Sequence, residues 1–164
     1  MKKLIKLTLV VALVLSSTSL FAQKMGRINS QELISLMPET TQMQTDLQTY
    51  ATELNAQIEE VQVELNNKFA DFQKKQATMK DLERQVAEKE MNELGARLEQ
   101  FRQVASEDFA KKQQELFAPI QEKAMAAIEK VAKAGGYAVV IDLAAGSMIY
   151  IDEAQVVDIL PAVK

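Results

Sequence analysis

From Met43 to Phe72 the apolar residues recur in steps of 4, 3 and 4. They are Met43, Leu47 and Tyr50, then Leu54, Ile58 and Val61, then Leu65, Phe69 and Phe72, each set 11 residues after the last. Eleven residues make three turns at about 3.67 per turn, close to the α-helix's own 3.6. The apolar stripe therefore runs nearly straight along one face, where a strict heptad would wrap left-handed. No Gly or Pro falls between Glu39 and Gly95. A segment of this kind predicts a long helix with one sticky face.

The series would continue at Gln76, Lys80 and Glu83, and all three are polar. Apolar character then resumes in two columns with the same spacing. One is Ala87, Leu98, Phe109, Ile120, Val131; the other is Leu94, Ala105, Leu116, Ala127. Two matched stripes around a polar break predict an antiparallel helical hairpin. Its turn is placed near Lys75 to Asp81, with Thr78-Met79-Lys80-Asp81 as a capping-box-like restart. One unbroken helix is the alternative, since the region lacks Gly and Pro. An arm of about 38 residues would reach about 57 Å. Two residues soften the second helix. Gly95 costs about 1 kcal/mol relative to Ala. Pro119 removes a backbone hydrogen bond and predicts a kink near Glu115.

The ends read differently. Residues 1–22 have the form of a signal peptide, with Lys2, Lys3 and Lys6, an apolar run from Leu7 to Leu15, and a small-residue stretch ending at Ala22. The run is too short for a spanning helix. Cleavage after Ala22 moves the formal charge from −4 to −7. Met25 to Asn29 reads as a short strand, Ser30 as the N-cap of a short helix, and Pro38 as its interruption. Ala134-Gly135-Gly136 stops the long helix. Tyr137 to Leu143 then reads as a strand, Ala144 to Ser147 as a turn, and Met148 to Asp152 as the returning strand of a β-hairpin. Asp152 is placed as the cap of a short helix through Val157. Three short strands cannot close a core alone. They need a partner, and another copy is the natural one.

The 164-residue chain has no Cys, no His and no Trp. That excludes an imidazole base, a thiol nucleophile, zinc fingers, haem and iron–sulfur ligation. Carboxylate sites for hard cations stay open in principle. Asp142 and Asp152 would lie on adjacent strands, but strand-end Asp residues usually form caps and turns. Gly135-Gly136 precedes a strand, the wrong order for a phosphate-binding loop. No catalytic residue, cofactor site or metal site is assigned, and the chain is expected not to be an enzyme. An acidic exported chain is also a poor general binder of nucleic acid.

Charge is uneven along the hairpin. Glu53, Glu59, Glu60 and Glu64 stand without a base among them, whereas Lys68, Lys74, Lys75, Lys80 and Arg84 cluster near the turn with three acids, Asp71, Asp81 and Glu83. An acidic shaft with a basic tip suits a weak contact with an anionic membrane surface or an acidic client; a plain solvated surface is the bland alternative. Val63, Met79, Phe101, Val104 and Phe117 lie off the main columns and are candidate client contacts.

The ends carry a resemblance. Lys24 to Ser30 with Leu36-Met37-Pro38-Glu39, then Ala118-Pro119-Ile120, Ala127 to Ala132, and Gly136 to Asp142, are similar to the Skp/OmpH family of periplasmic chaperones. The resemblance spans the mature chain. It implies an α+β fold: a long antiparallel helical hairpin, the coiled-coil tentacle, attached to a small β body completed by trimerisation. Residues 23–38 and 134–164 would form the body and 39–133 the tentacle, with its tip near 75–81. Strands from three chains would make the body, and three tentacles would enclose a cavity. Unfolded outer-membrane β-barrel proteins would be held there without ATP, in the periplasm. The expected trimer core is Ile28, Val139, Ile141, Ile149 and Ile151. Two departures stand out. The best-known members are basic, and this chain is acidic. Pro161 also looks set to cut the C-terminal helix short. A passive coiled-coil spacer or tether of the cell envelope is the second reading.

Overall fold

The computed structural model describes residues 24–146 and 149–164. The signal-peptide reading of 1–22 lies outside them, as does Met148 of the expected return strand. The order is β1 (Lys24–Ile28), α1 (Ser30–Leu36), α2 (Pro38–Lys75), α3 (Asp81–Gly135), β2 (Tyr137–Asp142), a 3-10 turn (Leu143–Ala145), β3 (Val156–Asp158) and α4 (Leu160–Val163). The chain divides into two compact units. One holds residues 24–36 with Lys123–Lys164, and the other is Met37–Glu122.

The second unit is the helical hairpin. Pro38 opens α2, where its missing N–H and fixed φ suit a first turn. The 38 residues of α2 end at Lys75. Three side-chain ties cross to α3: Tyr50 to Asp108, Gln62 to Arg102 and Lys68 to Glu90, separated by 58, 40 and 22 residues. The shrinking separations make the helices antiparallel. The apolar columns face this seam. Leu94, Leu98, Ala105 and Ile120 are buried. The α2 stripe is half-buried from Met43 to Phe72, with Phe69 alone exposed.

The α3 restart differs in detail from expectation. Lys80 is the N-cap, for its carbonyl accepts the first helical bond, from Arg84 at 3.0 Å. Glu83 reaches back to the Lys80 amide at 3.0 Å, which is half of a capping box. Thr78 instead donates its hydroxyl to the Lys75 carbonyl and closes α2. Helix α3 runs on through Pro119 to Gly135.

In the first unit the three strands lie in the order β2-β1-β3, with both neighbours parallel to β1. This corrects the β-hairpin. Residues 149–152 are not a strand, and β2 does not pair with β3. The Asp142 carboxylate accepts from the Ala144 amide at 3.0 Å and Gly146 adopts φ +66, so the chain turns off the sheet after β2. Asp152 then caps a turn rather than a helix, accepting from Ala154 at 3.0 Å. Only past that turn does Val156 reach the free side of β1. Asp142 and Asp152 are therefore not on adjacent strands.

Two more readings shift. Asn29, not Ser30, caps α1, accepting from Glu32 at 3.1 Å. Pro161 does not strip the C-terminus of packing. It stands in the first turn of α4, where proline is tolerated. Just before it, Ile159 is 1% and Leu160 6% exposed.

Candidate functional site

The hairpin carries its apolar residues in two populations. Those in the columns face the helix–helix seam and are buried or half-buried there, Phe69 excepted. The rest are available to a partner. Of the five expected contacts, Val63, Val104 and Phe117 are exposed, whereas Met79 and Phe101 are half-buried. Leu82, 72% exposed, and Val86 were missed by the column reading. They stand four residues apart on one helical face, which is the signal that would have found them. Met79 lines a hollow of about 200 Å³ near the tip with Phe72, Met91 and the Lys68–Glu90 pair. Methionines adapt their shape easily and suit a variable guest.

The five basic residues are not equivalent. Lys68 holds Glu90 at 2.8 Å, and that hydrogen bond, with the charge attraction, raises the lysine's pKa and lowers the glutamate's. Arg84 is engaged by Asp81. Lys74, Lys75 and Lys80 keep their ammonium groups without a partner among the described residues. Glu83, spent on the Lys80 amide, does not neutralise them by contact. The basic tip is thus three lysines around the interhelical turn.

Lower on the hairpin Tyr50 donates to Asp108, and Lys112 sits 5.9 Å from the centre of the Tyr50 ring. The bond to Asp108 is the main reason the phenol's pKa is raised. Between this tie and the Gln62–Arg102 bond lies an apolar groove of about 270 Å³, whose lining includes Leu54, Ile58, Ala105 and Phe109.

The expected trimer core falls into parts. Ile28 is 2% exposed inside the protomer. Val139 and Ile141 lie in register with Met25 and Arg27 of β1, positions that alternate with Ile28, so they share the other sheet face. Val139 is exposed and Ile141 half-buried. Ile149 is fully exposed and Ile151 half-buried on the connection to β3, which Arg27 holds through Glu153 at 2.7 Å.

Among the described residues no cluster of three or more acidic side chains is arranged to hold a metal, and no helix is long and apolar enough to cross a membrane.

Comparison with known proteins gives a consistent answer. No curated protein sequence matches the chain. A solved structure of a candidate outer membrane chaperone (OmpH-like) from Caulobacter crescentus superposes with a TM-score of 0.74 at 15% identity, covering 85% of this chain and 80% of that one. The likeness establishes a shared α+β fold. The family model described as outer membrane protein (OmpH-like) matches residues 24–164. The chain belongs to the OmpH-like family, the family its two ends resemble.

Proposed function

We propose that this protein is an ATP-independent holdase of the periplasm that keeps unfolded outer-membrane β-barrel proteins from aggregating. The observation that carries the reading is a helical hairpin that leaves Val63, Val104, Phe117, Leu82 and Val86 in solvent, outside the seam between its helices. Dispersed apolar groups on a stiff arm suit a guest without fixed structure. Family membership and the OmpH-like structural neighbour support the same class.

In this reading residues 23–38 and 134–164 join three copies into one body. Val139, Ile141, Ile149 and Ile151 meet their counterparts there, with Ile28 beneath them. The arms, residues 39–133, enclose the client, and Pro119 kinks each arm. Lys74, Lys75 and Lys80 supply a weak contact with an anionic membrane surface. The N-terminal segment through Ala22 directs export and is removed.

The test is light scattering on a sizing column, with mature chain and a denatured outer-membrane β-barrel protein mixed on dilution. A soluble species of three chains and one client is expected. The chain alone, with the client lost to aggregation, would favour the envelope spacer.

A further inference from the structure

The groove between Tyr50–Asp108 and Gln62–Arg102 has an identifiable cause in the sequence. Ala105 stands in a column between Leu94 and Leu116, each 11 residues away. Ala51 lines the same groove from α2. Two alanines thus line the groove, Ala105 between two leucines of its column and Ala51 beside the α2 stripe. A gap of this kind forfeits contacts that a larger side chain would make. The space left is about 270 Å³. An apolar cavity of about 150 Å³ is enough for benzene. The groove therefore admits one aromatic ring, indole included, and no folded element.

Its lining holds one charge, the Arg102 guanidinium, and the α2 surface beyond the lining is acidic. Arg102 lines the groove, but Glu99 and Gln62 each take one of its N–H groups at 2.9 Å. Asn55 lines it too, and Glu59 follows one turn later on the same side of α2. The Glu59 carboxylate has no partner among the described residues. It belongs to the segment from Glu53 to Glu64, which holds four acids and no base.

We infer that this groove seats one aromatic side chain of a bound unfolded polypeptide, and that Glu59 favours an aromatic residue with Lys or Arg beside it. The inference rests on the holdase reading and names the kind of client segment the arm takes. Selection runs opposite to what a basic capture surface would give.

The chain contains no Trp, so an added indole reports alone. The probes are two capped peptides, one with Trp between lysines and one with Trp between glutamates, titrated into the full mature chain by Trp emission. The lysine peptide should bind more tightly. Ala105→Leu should raise the melting temperature and weaken both peptides about tenfold, a typical effect of a filled apolar subsite. Ala51→Leu fills the groove from the other helix and should act alike. Glu59→Gln should keep indole burial and narrow the preference about threefold, the scale of an exposed ion pair. Unchanged binding by both filled variants, or preference for the glutamate peptide, would overturn the groove. If the wild-type chain holds a denatured β-barrel protein soluble while the filled variants bind peptide normally, the groove falls and the holdase stands. If peptides bind as expected but no client is held, the holdase reading falls instead.

Discussion

Asp142 accepts the Ser30 hydroxyl at 2.6 Å, the Ser30 amide at 3.1 Å and the Ala144 amide at 3.0 Å. It pins the start of α1 to the end of β2. Burial pushes its carboxyl up, but the bonds from Ser30 and Ala144 outweigh burial and hold it below the ordinary 3.8. A depressed carboxyl stabilises the fold above its unfolded pKa, and that contribution fades as pH drops through the folded value. Asp142→Ala should cost about 2 kcal/mol at neutral pH, and the gap to wild type in urea unfolding should close below pH 3.8. Gly135 is a second residue with one fixed demand. A Cβ there would lie 2.3 Å from the Tyr137 ring, which Lys24 covers at 4.2 Å while donating to the Gly135 carbonyl at 3.1 Å. Gly135→Ala should destabilise by about 1–2 kcal/mol, and the cost should vanish in a Tyr137→Ala background. Neither arrangement was legible beforehand. Ser30 and Asp142 are 112 residues apart, and nothing in either neighbourhood names the other.

At the scale of elements the helices were legible and the sheet only half so. An 11-residue repeat names both the helix and its buried face, and the columns from Ala87 to Val131 are all buried or half-buried. Alternation in Met148 to Asp152 names an extended segment but not its partner. The chain spends Ile149 to Asp152 on the connection to β3 and pairs Val156 to Asp158 instead. The groove left one trace in the sequence, the small Ala105 between Leu94 and Leu116, which a reading for apolar character alone passes over. Gly95 has nothing within 4 Å of where a Cβ would stand. Gly95→Ala should therefore gain about 1 kcal/mol in thermal unfolding. Pro119 withholds a bond from the Glu115 carbonyl, so Pro119→Ala should gain about 2–3 kcal/mol in the same measurement.

For the whole molecule the questions are assembly and capture. Ile141 lies on the sheet face opposite Ile28, half-buried in one copy. If the proposed trimer buries this face, a carboxylate there without a partner is costly, and Ile141→Asp should reduce the native mass from the proposed three chains to one; an unchanged mass rejects the proposed interface. Reversing Lys74, Lys75 and Lys80 to Glu should leave client holding intact if the arms do the holding, and should abolish it if the tip captures. Aggregation of a denatured β-barrel protein, followed by turbidity, separates the two. The proposed count of three rests on family resemblance, because no property of a single strand counts its copies.

The strand made first is the one that needs the strands made last. β1 begins at Lys24 and is flanked by Tyr137–Asp142 and Val156–Asp158, drawn from the last 28 residues of the chain. During synthesis its amide and carbonyl groups have no ladder until nearly the whole chain has emerged. The hairpin between them closes from its own turn and can form earlier. The order of the chain thus keeps the body open while the arm takes shape, and a chain cut short before Tyr137 would keep both helices of the arm beside a first strand with neither neighbour.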